Sequence, residues 1–442
     1  MTRELVLGIL LEVTRDGEYS HIALRNVLNK YQYLDKKERA FITRVTEGTL
    51  EHMIEIDYII NQFSKVKVNK MKPVIRNILR SAVYQLKYMD SVPNSAVCNE
   101  AVKLAGKKGF SNLKGFVNGV LRNIARNLDQ ITYPDDLSIQ YSMPEWIVEQ
   151  WLKIYDKCTV EAMLQDFQKE KPTIIRCNQS RIKKEDLILK LEQEGVRVEE
   201  HPYLPYALCI SEYDYLADLD SFQKGLFSVQ DISSMLVAHL ASPKEQDQVL
   251  DVCAAPGGKA LHMAELLCNT GCVEARDLTE YKVNLIWDNI VRSGLTNIEA
   301  VQWDATVLDE SSIEKMDIVV ADLPCSGLGV LGKKTDLKYK MTAQMQDDLV
   351  KLQRQILSVV KQYVKPQGTL IYSTCTIHEE ENMGNVQWFL EENPEFELVS
   401  IKEQLCEALK DSVQAEGCLQ LLPGVHESDG FFIAKLKKVK HE

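Results

Sequence analysis

The recurrence, from Gln248 onward, of short strand-like runs separated by helical patterns restricts the fold of this chain more than any other feature. The runs are Gln248 to Val252, Cys272 to Arg276, Ile298 to Gln302, Ile318 to Ala321, Thr369 to Tyr372 and Phe431 to Leu436. Strands alternating with helices predict a mostly parallel sheet covered by helices. Leu349, Leu352, Ile356, Val359 and Tyr363 supply a helical stripe between two of the strands. In such sheets ligands bind beyond the carboxyl ends of the strands, so the chemistry is to be sought there.

The sequence before this region follows different rules. Residues 1–130 carry few glycines and place apolar side chains at helical spacing, as in Ile59, Ile60 and Phe63 or Phe116, Val117, Val120, Leu121 and Ile124. An all-α domain is expected over 1–130. A linker and helical segment over 131–170 begins with the polar stretch around Pro134, Asp135 and Asp136. Thr173 to Cys177, the amphipathic Lys184 to Glu194, and Val196 to Val198 then read as strand, helix and strand, a small α+β segment over 171–225. The α/β domain takes 226–442.

Charge divides along the same line. The chain carries 52 Lys+Arg and 64 Asp+Glu, a net −12. Residues 1–130 are +8 and the remainder −20, so the N-terminal third is the part suited to a polyanion. Lys65, Lys67, Lys70, Lys72, Arg76 and Arg80 cluster before and along one helix, and Arg122 and Arg126 lie four apart on another. No apolar run approaches the roughly 20 residues of a membrane span, and Met1 to Glu18 alternates charge with Leu and Val. The 11 cysteines are odd in number and contain no CxxC pair, which fits reduced thiols in the cytoplasm. No second ligand pair accompanies Cys268 and Cys272, so no metal is expected.

The first strand of the α/β region runs into Asp251-Val252-Cys253-Ala254-Ala255-Pro256-Gly257-Gly258-Lys259 and then a helix. Two glycines here let backbone approach a ligand, and the helix start offers unpaired amides. A lone glycine pair also fits a plain tight turn, and the spacing is neither GxGxxG nor GxxxxGK[ST]. The next strands end at Asp277, Asp304 and Asp322. Asp277 stands where an acidic group reaches a ribose diol. An aspartate after a strand is also a common helix N-cap, but three in succession beside a glycine turn favour a nucleoside-containing cofactor. Cys325 and Cys375 then fall on loops over the same edge, in Asp322-Leu323-Pro324-Cys325-Ser326-Gly327 and Tyr372-Ser373-Thr374-Cys375-Thr376. Spacing alone does not rank the two thiols.

In these stretches, with Val229-Gln230-Asp231-Ile232-Ser233-Ser234 and Asp429-Gly430-Phe431-Phe432, the chain resembles the Sun/Nop RNA cytosine-5 methyltransferases. Asn99-Glu100-Ala101-Val102 and Phe116 to Arg122 look like the NusB-type helical domain of the RsmB-type (Sun/Fmu) enzymes of bacterial small-subunit ribosomal RNA. The resemblance implies a multidomain fold: an N-terminal all-α NusB-like domain, a small α+β RNA-recognition segment and a C-terminal α/β Rossmann-like methyltransferase domain. It also implies S-adenosylmethionine as cofactor, contacted by Cys253, Ala254, Ala255, Pro256, Gly257, Gly258, Lys259, Asp277, Lys282, Asp304 and Asp322. The methionine end is expected at the glycine turn, the ribose on Asp277 and the adenine near Asp304.

Cytosine C5 is too weak a nucleophile to take a methyl group unaided, and a thiolate adding to C6 activates it. By resemblance Cys375 is that nucleophile, Cys325 assists release, and Asp322, held neutral by burial, hydrogen-bonds N3 of the base. Leu323 stands where the family usually has Ala and is expected to narrow the base pocket; Lys282 replaces a common Arg, and Thr335 a frequent proline. RNA, chiefly 16S ribosomal RNA, is the expected partner of a monomer. Transfer RNA, a methyltransferase acting on nitrogen or oxygen, and a non-catalytic NusB-like RNA-binding factor are the competing readings.

Overall fold

The computed structural model describes residues 1–439. The chain forms two compact units: Met1–Lys169 with Leu331–Met341, and Glu170–Val330 with Thr342–Glu442.

The first unit is helical, as expected. Helices Thr2–Thr14, Ser20–Lys30, Lys36–Glu51, Met53–Phe63, Pro73–Tyr88, Asn94–Lys107 and Lys114–Arg126 close around one apolar core. Asp35 caps the third by accepting from the Glu38 amide at 2.8 Å, and Pro73 opens the fifth at a position that needs no donor. Pro73–Tyr88 is buried on most of its surface. That changes the basic cluster: Lys65, Lys67, Lys70 and Lys72 are exposed, but Arg80 turns inward into a two-pronged pair with Asp57 at 2.6 and 2.7 Å. Helices Leu137–Gln140, Glu145–Leu152 and Lys157–Phe167 complete the continuous part of this unit. The inserted segment Leu331–Met341 is fixed to it by polar anchors. Asp336 accepts from the Ser20 amide and hydroxyl at 3.0 and 2.6 Å, and Lys338 donates to the Glu51 and Ser142 carbonyls at 2.8 and 2.6 Å.

The second unit holds two sheets. Strands β1 (Thr173–Cys177), β2 (Arg197–Glu200), β3 (Ala207–Ser211) and β4 (Phe227–Val229) form an antiparallel sheet of order β2-β3-β1-β4, packed with helix Lys184–Gln193. Only β1, the helix and β2 are legible beforehand. β3 is largely apolar and lacks the alternation of a half-exposed strand, and β4 is three residues long.

The larger sheet contains β5 (Gln248–Asp251), β6 (Cys272–Asp277), β7 (Ile298–Gln302), β8 (Met316–Asp322), β9 (Val364–Thr374), β10 (Phe396–Leu398), β11 (Val413–Ala415), β12 (Cys418–Leu421) and β13 (Phe431–Lys438). Its order is β11-β12-β13-β9-β8-β5-β6-β7, with β10 also on β13. All six expected strands are present. The five from β7 to β9 are parallel, while β10 to β13 add an antiparallel wing, so the sheet is mixed. Successive residues supply opposite cores: Val249, Val320 and Ile371 on one face, Leu250, Val319, Ala321 and Leu370 on the other. Both faces are therefore covered, as the unbroken apolar runs require. The strand order reverses between β5 and β8, the place where such sheets bind ligands.

Helix Ala343–Val360 lies between β8 and β9 as expected, but its buried stripe is Gln346, Val350, Gln353, Ile356, Leu357 and Val360. Leu349, Leu352 and Val359 are only partly covered. The rotation puts two glutamines inward, and Gln353 has partners there that the helical pattern cannot reveal.

Candidate active site

The register brings the singled-out residues to one edge. Asp251 of β5 pairs with Val320 of β8 and Ala275 of β6, and Asp322 of β8 with Ser373 of β9. The ends of β5, β6, β8 and β9 therefore stand side by side.

The turn after β5 is pinned on both sides. The Val252 amide donates to Val320 and the Ala254 amide to Arg276, at 3.1 and 2.8 Å. Gly257 adopts φ of 106°, which a side chain rarely tolerates, and helix Gly258–Leu266 starts there. Asp277 is buried and grips this turn: Oδ2 accepts from the Ala255 amide at 3.0 Å, while Oδ1 takes the Leu278 amide at 2.8 Å and pairs with Lys282 at 3.0 Å. Asp304 is exposed, two residues beyond β7, and bonds locally: Oδ1 accepts from the Thr306 hydroxyl and amide, which lowers its pKa.

Lys259 reaches from the first turn of that helix to Asp322, Nζ lying 2.7 Å from Oδ2. Ser373 donates to the other oxygen at 2.8 Å. Burial works against the Lys259 ammonium, but Asp322, Asp251 and Cys375 outweigh it and its pKa is raised. Asp322 is a quarter exposed and ion-paired, so it is not the buried carboxyl that was expected. The buried acid is Asp251, which sequence reasoning did not select. Burial, then the charge of Asp322, pushes it up to about 7, and its Oδ2 has no hydrogen-bond partner. Gln230, of the Val229-Gln230-Asp231 stretch, also went unselected: its buried Nε2 is unpaired beside Gly258.

The two thiols meet, Cys325 Sγ lying 3.3 Å from Cys375 Sγ. The hydrogen bond to Cys375, then burial, then the charges of Cys375 and Glu381 hold the Cys325 thiol well above its ordinary value. Glycine makes this approach possible. A Cβ on Gly329 would lie 1.9 Å from the Gly430 carbonyl oxygen and 2.9 Å from that of Cys375. The Gly329 amide donates to Cys375 at 3.0 Å and the Gly430 amide to Gly329 at 2.9 Å, locking three loops together. Leu323 does not border a base pocket: it is 3% exposed and packs in the core with Val319, Ile356 and Leu357.

A Bacillus subtilis protein named "Probable ribosomal RNA small subunit methyltransferase B" is 36% identical over 99% of this chain and 98% of its own length. The chain belongs to the RsmB/F family of 16S rRNA methyltransferases. The model of that family matches residues 238–437, the NusB family model residues 1–126, and the RsmF/B-like ferredoxin-like domain residues 143–214. The crystal structure of PH0851 is similar throughout, with a TM-score of 0.82 and 27% identity over 99% of this chain and 98% of that one. NSun6 from Pyrococcus horikoshii, solved with SFG, an S-adenosylmethionine analogue, has a TM-score of 0.58 and 25% identity over 70% of this chain and 99% of its own. The chain thus has a NusB-like helical domain and a Rossmann-like methyltransferase domain. Among the described residues no helix is long and apolar enough to cross a membrane, and no group of three or more metal-ligating side chains occurs.

Proposed function

We propose that this protein transfers a methyl group from S-adenosylmethionine to C5 of a cytosine in small-subunit ribosomal RNA, through a transient bond between Cys375 and C6 of the base. The observation that carries the reading is the Cys325–Cys375 pair at 3.3 Å, on the same sheet edge as the Asp322–Lys259 pair at 2.7 Å. A methyltransferase acting on nitrogen or oxygen needs no thiol, and two adjoining ones have no use there.

The edge fits the cofactor. Asp251, Asp277 and Asp322 make it acidic, as a sulfonium and an ammonium require, and the unpaired Asp251 Oδ2 and Gln230 Nε2 are buried polar atoms in need of partners. The residues that would hold it are those of the Cys253-Ala254-Ala255-Pro256-Gly257-Gly258-Lys259 turn, with Asp277, Lys282 and Asp304. When bound it supplies an electrophilic methyl group.

The remaining steps belong to the chain. The Cys375 thiolate bonds to C6 as the C5=C6 electron pair shifts toward C5, and N3 takes a proton from solvent that it shares with the Asp322 carboxylate. Lys259 steadies Asp322 from the other side and limits the charge built up there. After methylation C5 and N3 give up their protons to solvent, the C5=C6 bond reforms and Cys375 leaves as thiolate, steadied by the Cys325 thiol beside it. A paired base hides C6, so the target is single-stranded or turned out of its stack. Cys375→Ala abolishes methylation of the RNA, and Cys325→Ala accumulates a protein–RNA adduct on denaturing gels. An adduct in the Cys375 variant instead reverses the two roles, and an active double variant removes the covalent route.

A further inference from the structure

Two thiolates cannot stand 3.3 Å apart at little cost, so when the pair loses one proton the other remains, and its location decides which sulfur attacks. Behind the pair lies a carboxylate that the mechanism above does not use. Glu381 is 0% exposed, although its neighbours Glu379 and Glu380 are on the surface. It accepts from the Ser326 amide at 2.9 Å, from the Ser326 hydroxyl, from Gln353 Nε2 at 2.9 Å and contacts His378 Nδ1 at 3.1 Å. All of these suit an acceptor with no proton of its own.

The contacts are distributed unevenly between the two cysteine loops. Ser326 follows Cys325 directly, and Gln353 also donates to the carbonyl of Pro324, at 2.8 Å, directly before it. Glu381 thus grips both flanks of Cys325. Toward the other loop its side chain meets His378 Nδ1, and Ser326 Oγ lies 2.7 Å from Thr376 Oγ1. The cation Lys259 interacts with Cys375. The titratable groups around the pair are Glu381, His378, Tyr372, Asp322 and Lys259.

We propose that Glu381 is the positioning residue that assigns the shared proton to Cys325, leaving Cys375 as the attacking thiolate. The negative charge on the Cys325 side disfavours a second negative charge there, while Lys259 favours one on Cys375. Once Cys375 is bonded to carbon the proton stays on Cys325, beside the leaving sulfur, where the Cys325 thiol can donate to the departing Cys375 thiolate. This rests on the covalent reading above, but its test does not.

The test is the pH profile of iodoacetamide alkylation, read at each cysteine by peptide mass spectrometry on the full chain without RNA. Wild type alkylates Cys375 at lower pH than Cys325. Glu381→Gln moves the Cys325 midpoint down by about one pH unit, a tenfold gain in thiolate at a given pH, and narrows the gap between the two. Glu381→Asp keeps the charge and restores the gap. Ser326→Ala, which removes a donor that offsets that charge, moves Cys325 the opposite way and decides the matter if Glu381→Gln does not fold. An unmoved Cys325 midpoint in folded Glu381→Gln, or in Ser326→Ala should the first variant not fold, overturns the proposal. So does a wild type in which Cys325 reacts first. Loss of the RNA adduct with the alkylation order intact would defeat the covalent reading alone.

Discussion

Removal of Arg176 should cost this protein more than any surface charge, and the size of the loss follows from its surroundings. Arg176 lies on β1 of the smaller sheet with a side chain 1% exposed. Its guanidinium meets Glu265 at 2.7 and 3.2 Å, donates to the Gly258 carbonyl at 3.0 Å, and also bonds Gln230. It thereby ties the ferredoxin-like sheet to the helix that begins at the cofactor turn. Arg176→Met leaves Glu265 buried and unpaired, which typically costs about 3–5 kcal/mol, against a total stability of about 5–15 kcal/mol for a domain. Burial already raises Glu265, and Arg176 is what lowers it. Without that partner its folded value climbs further above the unfolded one, so the variant binds a proton on folding. Its deficit therefore shrinks toward acid and grows as pH rises. Adding Glu265→Leu removes the stranded charge and should recover most of the loss, with a coupling of about 2 kcal/mol or more between the two sites. Urea unfolding followed by hydrogen exchange at β1 and at helix Gly258–Leu266 measures both. Simple additivity of the two substitutions, or a deficit independent of pH, would refute the reasoning.

Asp251 gives a second pH signature. Its folded value of about 7 exceeds the ordinary 3.8, so its contribution is fully present below the lower value and is lost as pH rises through the higher. In the protein without cofactor, Asp251→Asn should flatten the fall of the urea midpoint across that window, and an unchanged slope would contradict the assignment. On the helical unit, the triple variant Lys70→Glu, Lys72→Glu and Arg76→Glu should raise the dissociation constant for small-subunit RNA at low salt. It should also reduce the slope of log affinity against log salt by about 2; filter binding that shows neither change removes this patch from the RNA contact.

The parts of this molecule that were legible beforehand are those in which sequence pattern and fold obey the same period. Six strands of the large sheet show as apolar runs because both faces are covered, and the helical third shows as repeats of apolar positions. The cofactor turn, the aspartates that end β6 and β8, and the two cysteines fall at strand ends, so a parallel sheet gathers them once their strands are recognised. Arg80, Leu323 and Gln353 are different. Arg80 turns inward to Asp57 and Leu323 into the core, against what their residue types suggest in sequence, and Gln353, which no pattern singles out, lies under the cysteine loops. A charged or polar side chain is buried only where another element brings its partner, and Asp57 and Glu381 lie 23 and 28 positions away. Glu381 is the extreme case. In sequence it closes the acidic run Glu379-Glu380-Glu381, which reads as solvated surface. In the fold the loop after Cys375 doubles back, so that the third glutamate alone points inward and takes donors from Ser326, 55 positions earlier. The chemistry of the nearby thiols thus depends on a charge whose position is set by the meeting of two loops that glycines 329 and 430 let touch. Substituting either glycine should therefore disturb the reactivity of both cysteines together, whereas a change at Glu381 should separate them.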